Sequence, residues 1–136
     1  MRAPFQILAI PYRKGAECRF CVFHRADLDQ YQFVAGGGED AETPLEAAKR
    51  EIKEETGVTA ESVLPLTSMA CVPANVIAEK HRQLWPRDTF VIPEYAFAFF
   101  MRCGYPPVPR AYCLRMASLC GSYAQADLGF QPDGAV

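Results

Sequence analysis

The sequence predicts one α/β domain, and three observations carry that prediction. Short runs of two-residue alternation stand before and after a single strongly signalled helix. The chain has 136 residues, a length that suits one domain. Half of the residues are hydrophobic and 22% are charged, so a packed core is within reach and global disorder is not expected.

The elements follow in order. Residues 5–12 and 18–24 read as strands joined by the turn Arg13-Lys14-Gly15-Ala16. Residues 32–35 form a short strand that runs into Gly36-Gly37-Gly38. Then the period changes. Thr43 reads as an N-cap, Pro44 fits the first helical position, and Glu46 completes a capping box. Leu45, Ala48 and Ile52 recur at helical spacing and supply a buried stripe. Gly57 stands where a helix ends. Residues 62–72 and 88–100 read as strands with an irregular polar stretch between them, and Pro93 demotes part of the second to an edge or a bulge.

Bulk properties narrow the function. A formal net charge of −2 excludes the broad positive field of a protein that binds nucleic acid stably and non-specifically. A small phosphate substrate stays open, because a bound divalent metal inverts the local sign of the field. No apolar run approaches the roughly 20 residues that cross a bilayer, and the first residues lack a signal-peptide layout. A cytoplasmic protein with no membrane partner is the expectation. Cys18 and Cys21 make a C-x-x-C, but it sits in an alternating stretch with no second pair to complete a zinc site. They read as ordinary strand cysteines.

The chemistry-bearing segment is residues 36–58, GGGEDAETPLEAAKREIKEETGV. On a helix from Pro44, Glu51 shares a face with Glu54 and Glu55, so three carboxylates meet within one turn. They repel one another, and the negative end of the helix dipole adds to the repulsion. A hard cation would neutralise them, and oxygen-only ligands suit Mg²⁺ or Mn²⁺. The plainer reading is a solvated acidic face screened by Lys49, Arg50 and Lys53.

The segment resembles the Nudix box, G-x5-E-x7-R-E-U-x-E-E-x-G-U with U aliphatic, and matches it at every fixed position. Gly36, Glu42, Arg50, Glu51, Ile52, Glu54, Glu55, Gly57 and Val58 fall in register without a gap. The resemblance implies an α/β/α sandwich with a mixed sheet. It implies hydrolysis of a phosphoric anhydride bond in a nucleoside-diphosphate-type small molecule, with Mg²⁺ as cofactor. Glu51, Glu54 and Glu55 match the motif's metal ligands, and Glu51 is the first choice for general base. Arg50 would orient a neighbouring carboxylate, and Glu42 would fix the loop through Arg50. Gly36, Gly37 and Gly38 would let the backbone come close and take positive φ, and Gly57 would end the helix. A further metal ligand commonly comes from outside the motif, with Glu94 and Glu79 as candidates.

The flanks bear on the substrate. Pro4-Phe5-Gln6-Ile7-Leu8, with Tyr31-Gln32-Phe33-Val34, looks like the branch of dATP and dihydroneopterin triphosphate pyrophosphatases, which would release pyrophosphate and leave a monophosphate. A dinucleotide or nucleotide-sugar pyrophosphatase, or an inactive Nudix fold that binds a ligand, are the alternatives. Trp85, Phe33 and Tyr12 could stack on a base, against the commoner role of packing.

Residues 1–100 are thus expected to form the hydrolase domain, and 101–136 an atypical tail. The tail holds three of the six cysteines and four of the eleven prolines and shows no amphipathic period. A one-nucleotide shift of frame over residues 111–136 can encode a tyrosine-tryptophan strand, an acidic-alanine helix and a W-x-S-N-R stretch, as at the end of the pyrophosphatase branch. The expectation is a frameshift near residues 100–104, with the family's C-terminal helix missing or replaced. A sheet face left uncovered would favour association, a homodimer being its simplest form.

Overall fold

The computed structural model describes residues 2–14, 18–25, 30–102 and 112–118. In chain order the elements are β1 (Arg2–Lys14), β2 (Cys18–Arg25), β3 (Gln30–Gln32), β4 (Val34–Glu39), α1 (Pro44–Thr56), β5 (Val63–Pro73), a 3-10 turn (Ala74–Val76), α2 (Glu79–Arg82), β6 (Val91–Phe100) and β7 (Tyr112–Ser118). The strands form one sheet in the order β3-β2-β1-β6-β5, with β4 also on β1 and β7 on β2. It is a mixed sheet: β1 and β6 are parallel, and the other pairs are antiparallel. Among the described residues no helix is long and apolar enough to cross a membrane.

β1 organises the sheet because it changes partner along its length. Its first part pairs with β4, from Arg2 against Glu39 to Ala9 against Val34. Its last part pairs with β2, from Tyr12 against Phe20 to Lys14 against Cys18. On its other edge β6 runs from Gln6 against Glu94 to Tyr12 against Phe100. Pro93 lies just outside that ladder and pairs only with Cys71 of β5, so its missing N–H interrupts no central hydrogen bond. The irregularity expected near Pro93 falls instead in β5, between Pro65 and Met69.

Two-residue alternation gives the sheet two different faces. Ile7 and Ala9 are fully buried, together with Val34, Phe97 and Phe99, under Ala47, Ala48 and Ile52 of α1. Gln6, Leu8 and Ile10 point to the opposite face and are half-buried. A second cluster forms at one end of that opposite face, where Trp85, Ala74 and Ile77 pack with Ile92 and Val72.

α1 starts and stops as its sequence dictates. Thr43 Oγ1 accepts from the Glu46 N–H at 3.3 Å while the Thr43 N–H donates to Glu46 Oε2 at 2.8 Å, a complete capping box. Gly57 takes the left-handed conformation at φ 70 and donates to the Lys53 carbonyl at 2.9 Å. Three details differ from the sequence expectation. Leu45 is 38% exposed although it shares the helical phase of Ala48, Ile52 and Thr56; it sits in the first turn, and the buried residues of the helix are Ala47, Ala48, Ile52 and Thr56. The glycine run is not a loop: Gly36, Gly37 and Gly38 belong to β4, Gly36 pairing with Ile7 and Gly37 with Gln6, and among the described glycines only Gly57 has positive φ. Cys18 and Cys71 are free and exposed, but Cys21 is buried and disulfide-bonded, where ordinary strand thiols were expected.

Candidate active site

The glycines of β4 make room for three side chains, and those side chains define the site. A Cβ at Gly36 would collide with the Glu51 carboxylate, one at Gly37 with the Arg2 guanidinium, and one at Gly38 with the Phe5 ring. Glycine is therefore required here for close approach and not for its backbone freedom. The glycine strand carries Glu51 on the α1 side and Arg2 on the other, since consecutive strand residues face opposite ways.

Arg50 gathers the acidic groups. Its Nε donates to Glu42 Oε1 at 2.8 Å and its Nη2 to Glu42 Oε2 at 3.0 Å, a two-pronged pair that only a planar guanidinium makes. Nη2 also reaches the Gly37 carbonyl at 2.8 Å, which ties α1 to β4. Nη1 donates to Glu51 Oε1 at 2.8 Å and to Glu54 Oε2 at 3.2 Å. Glu42 in turn closes the turn after β4, accepting from the Glu39 N–H at 2.9 Å. The Arg50 hydrogen bond holds Glu42 below the usual carboxylate range, and the same contacts raise the Arg50 pKa.

Glu51 is in the opposite situation. Its side chain is only 14% exposed, and burial pushes its carboxyl above the usual range despite the hydrogen bond from Arg50. Glu54, 57% exposed, points outward, and Glu55 is half-buried. Among the described residues, no three carboxylate, histidine or cysteine side chains are already gathered round one point to hold a metal ion. Arg50 occupies Glu51 and Glu54 instead.

Neither outside candidate for a further ligand joins this cluster. Glu94 pairs with Gln6, which pairs with Gly37, so it stands two strands across, about 10 Å, on the face away from α1. Glu79 is exposed at the start of α2. Trp85 is 7% exposed and packs in the second cluster, where its Nε1 donates to the Arg2 carbonyl at 2.9 Å. Tyr12 sets its ring edge-on to Phe100 at 5.9 Å, and Phe33 is half-buried.

Sequence reasoning missed Arg2 and Gln6. Burial lowers the Arg2 pKa, while the field of Glu51 opposes that shift. Nε of Arg2 and Oε1 of Gln6 are both sealed from solvent without a hydrogen-bond partner. Only the register of β1 against the glycine strand reveals them, and the sequence contains no motif for that register.

Comparison with known proteins places this geometry. The NUDIX domain family matches residues 6–104. The chain belongs to the NUDIX family. It is 37% identical to a Listeria monocytogenes protein assigned to the NUDIX hydrolases, over 85% of this chain and 77% of that one, with a TM-score of 0.67. The NUDIX fold recurs in the Escherichia coli dihydroneopterin triphosphate pyrophosphohydrolase, at 22% identity, 85% and 77% coverage and a TM-score of 0.57. It recurs again in the Caenorhabditis elegans Ap4A hydrolase, at 14% identity, 85% and 80% coverage and a TM-score of 0.54. No curated protein sequence matches the chain. The NUDIX chain is accordingly a hydrolase of phosphoric anhydride bonds, and the capped helix with its Arg50 network lies within the residues that match the family.

Proposed function

We propose that this NUDIX chain hydrolyses a nucleoside or pterin triphosphate to the monophosphate and pyrophosphate, using Mg²⁺ held by Glu51, Glu54 and Glu55. The observation that carries the reading is the pairing of Gly36 with Glu51. A glycine is needed because a half-buried carboxylate fills the space where its side chain would stand. A fold gains nothing by burying a charge it has to desolvate, so the carboxylate answers to function.

The donor set fits a hard cation. All three groups are carboxylates on one helical turn, the oxygen chemistry that Mg²⁺ takes, with Mn²⁺ as an alternative. Holding it requires Glu54 to leave Arg50 and converge with Glu51 and Glu55. Mg²⁺, when bound, neutralises phosphate charge and lowers the pKa of a water. Glu51 then accepts the proton of the attacking water, a role that suits a carboxylate whose pKa burial has raised. Arg50 fixes Glu51 through Nη1 and is itself fixed by the two oxygens of Glu42 and the Gly37 carbonyl, so the base is held in one orientation.

The Phe5–Leu8 and Tyr31–Val34 flanks, which look like the triphosphate pyrophosphatase branch, support a triphosphate as substrate, and the fold shared with the dihydroneopterin triphosphate enzyme accords with it. The test is product analysis. Pyrophosphate and a monophosphate should appear in equal amounts, only with Mg²⁺, and not with Glu55→Gln. Release of orthophosphate alone would contradict the reading.

A further inference from the structure

β5 and β6 are antiparallel neighbours, a pair that as few as ~2 residues can join. Residues 74–90 join them instead, as a crossover with a framework of its own. The Ala74 N–H donates to the Phe90 carbonyl at 2.8 Å and closes its base. Within it the Gln83 N–H reaches the Glu79 carbonyl, the Trp85 N–H the Arg82 carbonyl and the Thr89 N–H the Pro86 carbonyl, each at 3.0 Å. Trp85 fastens the crossover to the sheet: its ring packs with Ala74, Ile77 and Ile92, and its Nε1 donates to the Arg2 carbonyl. Ordering so long a connection costs chain entropy that a tight turn would not.

This framework encloses a cavity of about 760 Å³, within the range of small-molecule sites. The described residues lining it all lie between Pro73 and Phe90 and none comes from residues 36–58, so it stands apart from the carboxylates that Arg50 gathers. Arg82 and Arg87 both line it, and neither guanidinium makes a hydrogen bond or ion pair with the described residues. The side-chain amides of Asn75 and Gln83 make none either. Glu79 is the one carboxylate among the described lining residues, so the two guanidinium groups leave the cavity positive on a chain of net charge −2. Phe90 lines the same space at 76% exposure, an apolar ring that gains by being covered.

These groups match one chemical class. Two planar guanidinium groups suit the oxygens of a phosphate, and an open aromatic face suits a heterocycle. Amides and a carboxylate between them suit the hydroxyls of a sugar. We infer that the crossover cavity binds a nucleoside phosphate, at a site separate from the helix glutamates and independent of Mg²⁺. Arg82 and Arg87 hold the phosphate and Phe90 covers the base. The chain supplies both cations itself, so the site needs no metal. It stands whether or not the chain releases pyrophosphate from a triphosphate.

The test is direct binding with Mg²⁺ removed by EDTA, read by calorimetry and by the fluorescence of Trp85, the sole tryptophan and a wall of the cavity. AMP and GMP are the probes, with adenosine and inorganic phosphate standing for their two halves. Saturable binding of a nucleotide is expected, with each half weaker by about tenfold or more, the weight of a charge-assisted hydrogen bond. Arg82→Gln combined with Arg87→Gln should weaken binding by about the same factor. Both side chains are exposed, so the melting temperature should not change. Phe90→Ala should weaken the nucleotides and leave inorganic phosphate unaffected, and Glu55→Gln should bind like the unaltered protein. No saturable nucleotide binding in either readout overturns the inference, as does undiminished binding in the folded double-arginine variant. Loss of binding in Glu55→Gln also overturns it, by placing the nucleotide at the helix glutamates. Inorganic phosphate binding as tightly as AMP and GMP would reduce the cavity to a plain anion site and overturn it too.

Discussion

Arg50 is the residue on which the site depends, because one guanidinium serves Glu42, Glu51, Glu54 and the Gly37 carbonyl at once. Lysine offers a single point charge and cannot span them. Arg50→Lys should lower unfolding stability by roughly 2–4 kcal/mol in urea titration, since it leaves partly buried carboxylates unpaired. The two key carboxylates respond to pH with opposite signs. Glu42 is held below its ordinary value, so its contribution is present above the usual carboxylate range, about pH 4.3, and is lost as pH falls through its lower folded value. Stability followed down through that range should fall, and less steeply in Glu42→Gln. Glu51 is held above its ordinary value, so its ionisation weakens the fold as pH rises through the raised value. Glu51→Gln should therefore abolish activity at neutral pH yet leave the melting temperature unchanged or higher; a clear drop in melting temperature would contradict this. Gly36→Ala tests the same contact from the other side. Its Cβ displaces the Glu51 carboxylate, and a misplacement of about 1 Å costs activity on the order of a hundredfold, read as kcat at saturating Mg²⁺.

At the scale of the element, α1 is defined by its ends. Thr43→Ala removes the cap and should cost about 1 kcal/mol. Gly57→Ala forces a side chain into φ 70 and should cost about the same, both measured by denaturant unfolding. The helix was readable from Thr43, Pro44, Glu46 and Gly57 because caps are local chemistry written in adjacent residues. Arg50 pairing with Glu42 was expected only through the resemblance to the Nudix box. The glycine strand was not readable. Glycine has poor β propensity, and three in a row look like a loop, but β1 supplies the ladder and tertiary pairing overrides propensity. Leu45 was misplaced because phase alone does not bury a residue: it is in register with Ala48, Ile52 and Thr56 but sits in the first turn of the helix.

Across the whole molecule, β1 decides what meets what. Its register against β4 and β6 sets Arg2, Gln6 and Glu94 on one face and Ile7 with the α1 core on the other. A register belongs to the pair of strands and not to either sequence, which is why the helix side of the site was legible and the open face was not. Glu94 shows the consequence: it was a candidate for a ligand from outside the motif, and the sheet sets it two strands from the glycines, on the face away from α1. The tail stands apart. The family match ends at residue 104, and of residues 101–136 only Met101, Arg102 and β7 are among those described. The rest of the proposed frameshifted segment lies outside them. Sequencing the coding DNA across residues 100–104 should reveal an inserted or deleted nucleotide; an uninterrupted frame without one contradicts the proposal.

The most direct test of the central claim is the product assay with a triphosphate, run with and without Mg²⁺ on the unaltered protein and on Glu55→Gln. Equal yields of pyrophosphate and monophosphate that need Mg²⁺ and vanish in the variant are the predicted result. Metal-independent release, or full activity in Glu55→Gln, would show that the helix glutamates are not the seat of the chemistry.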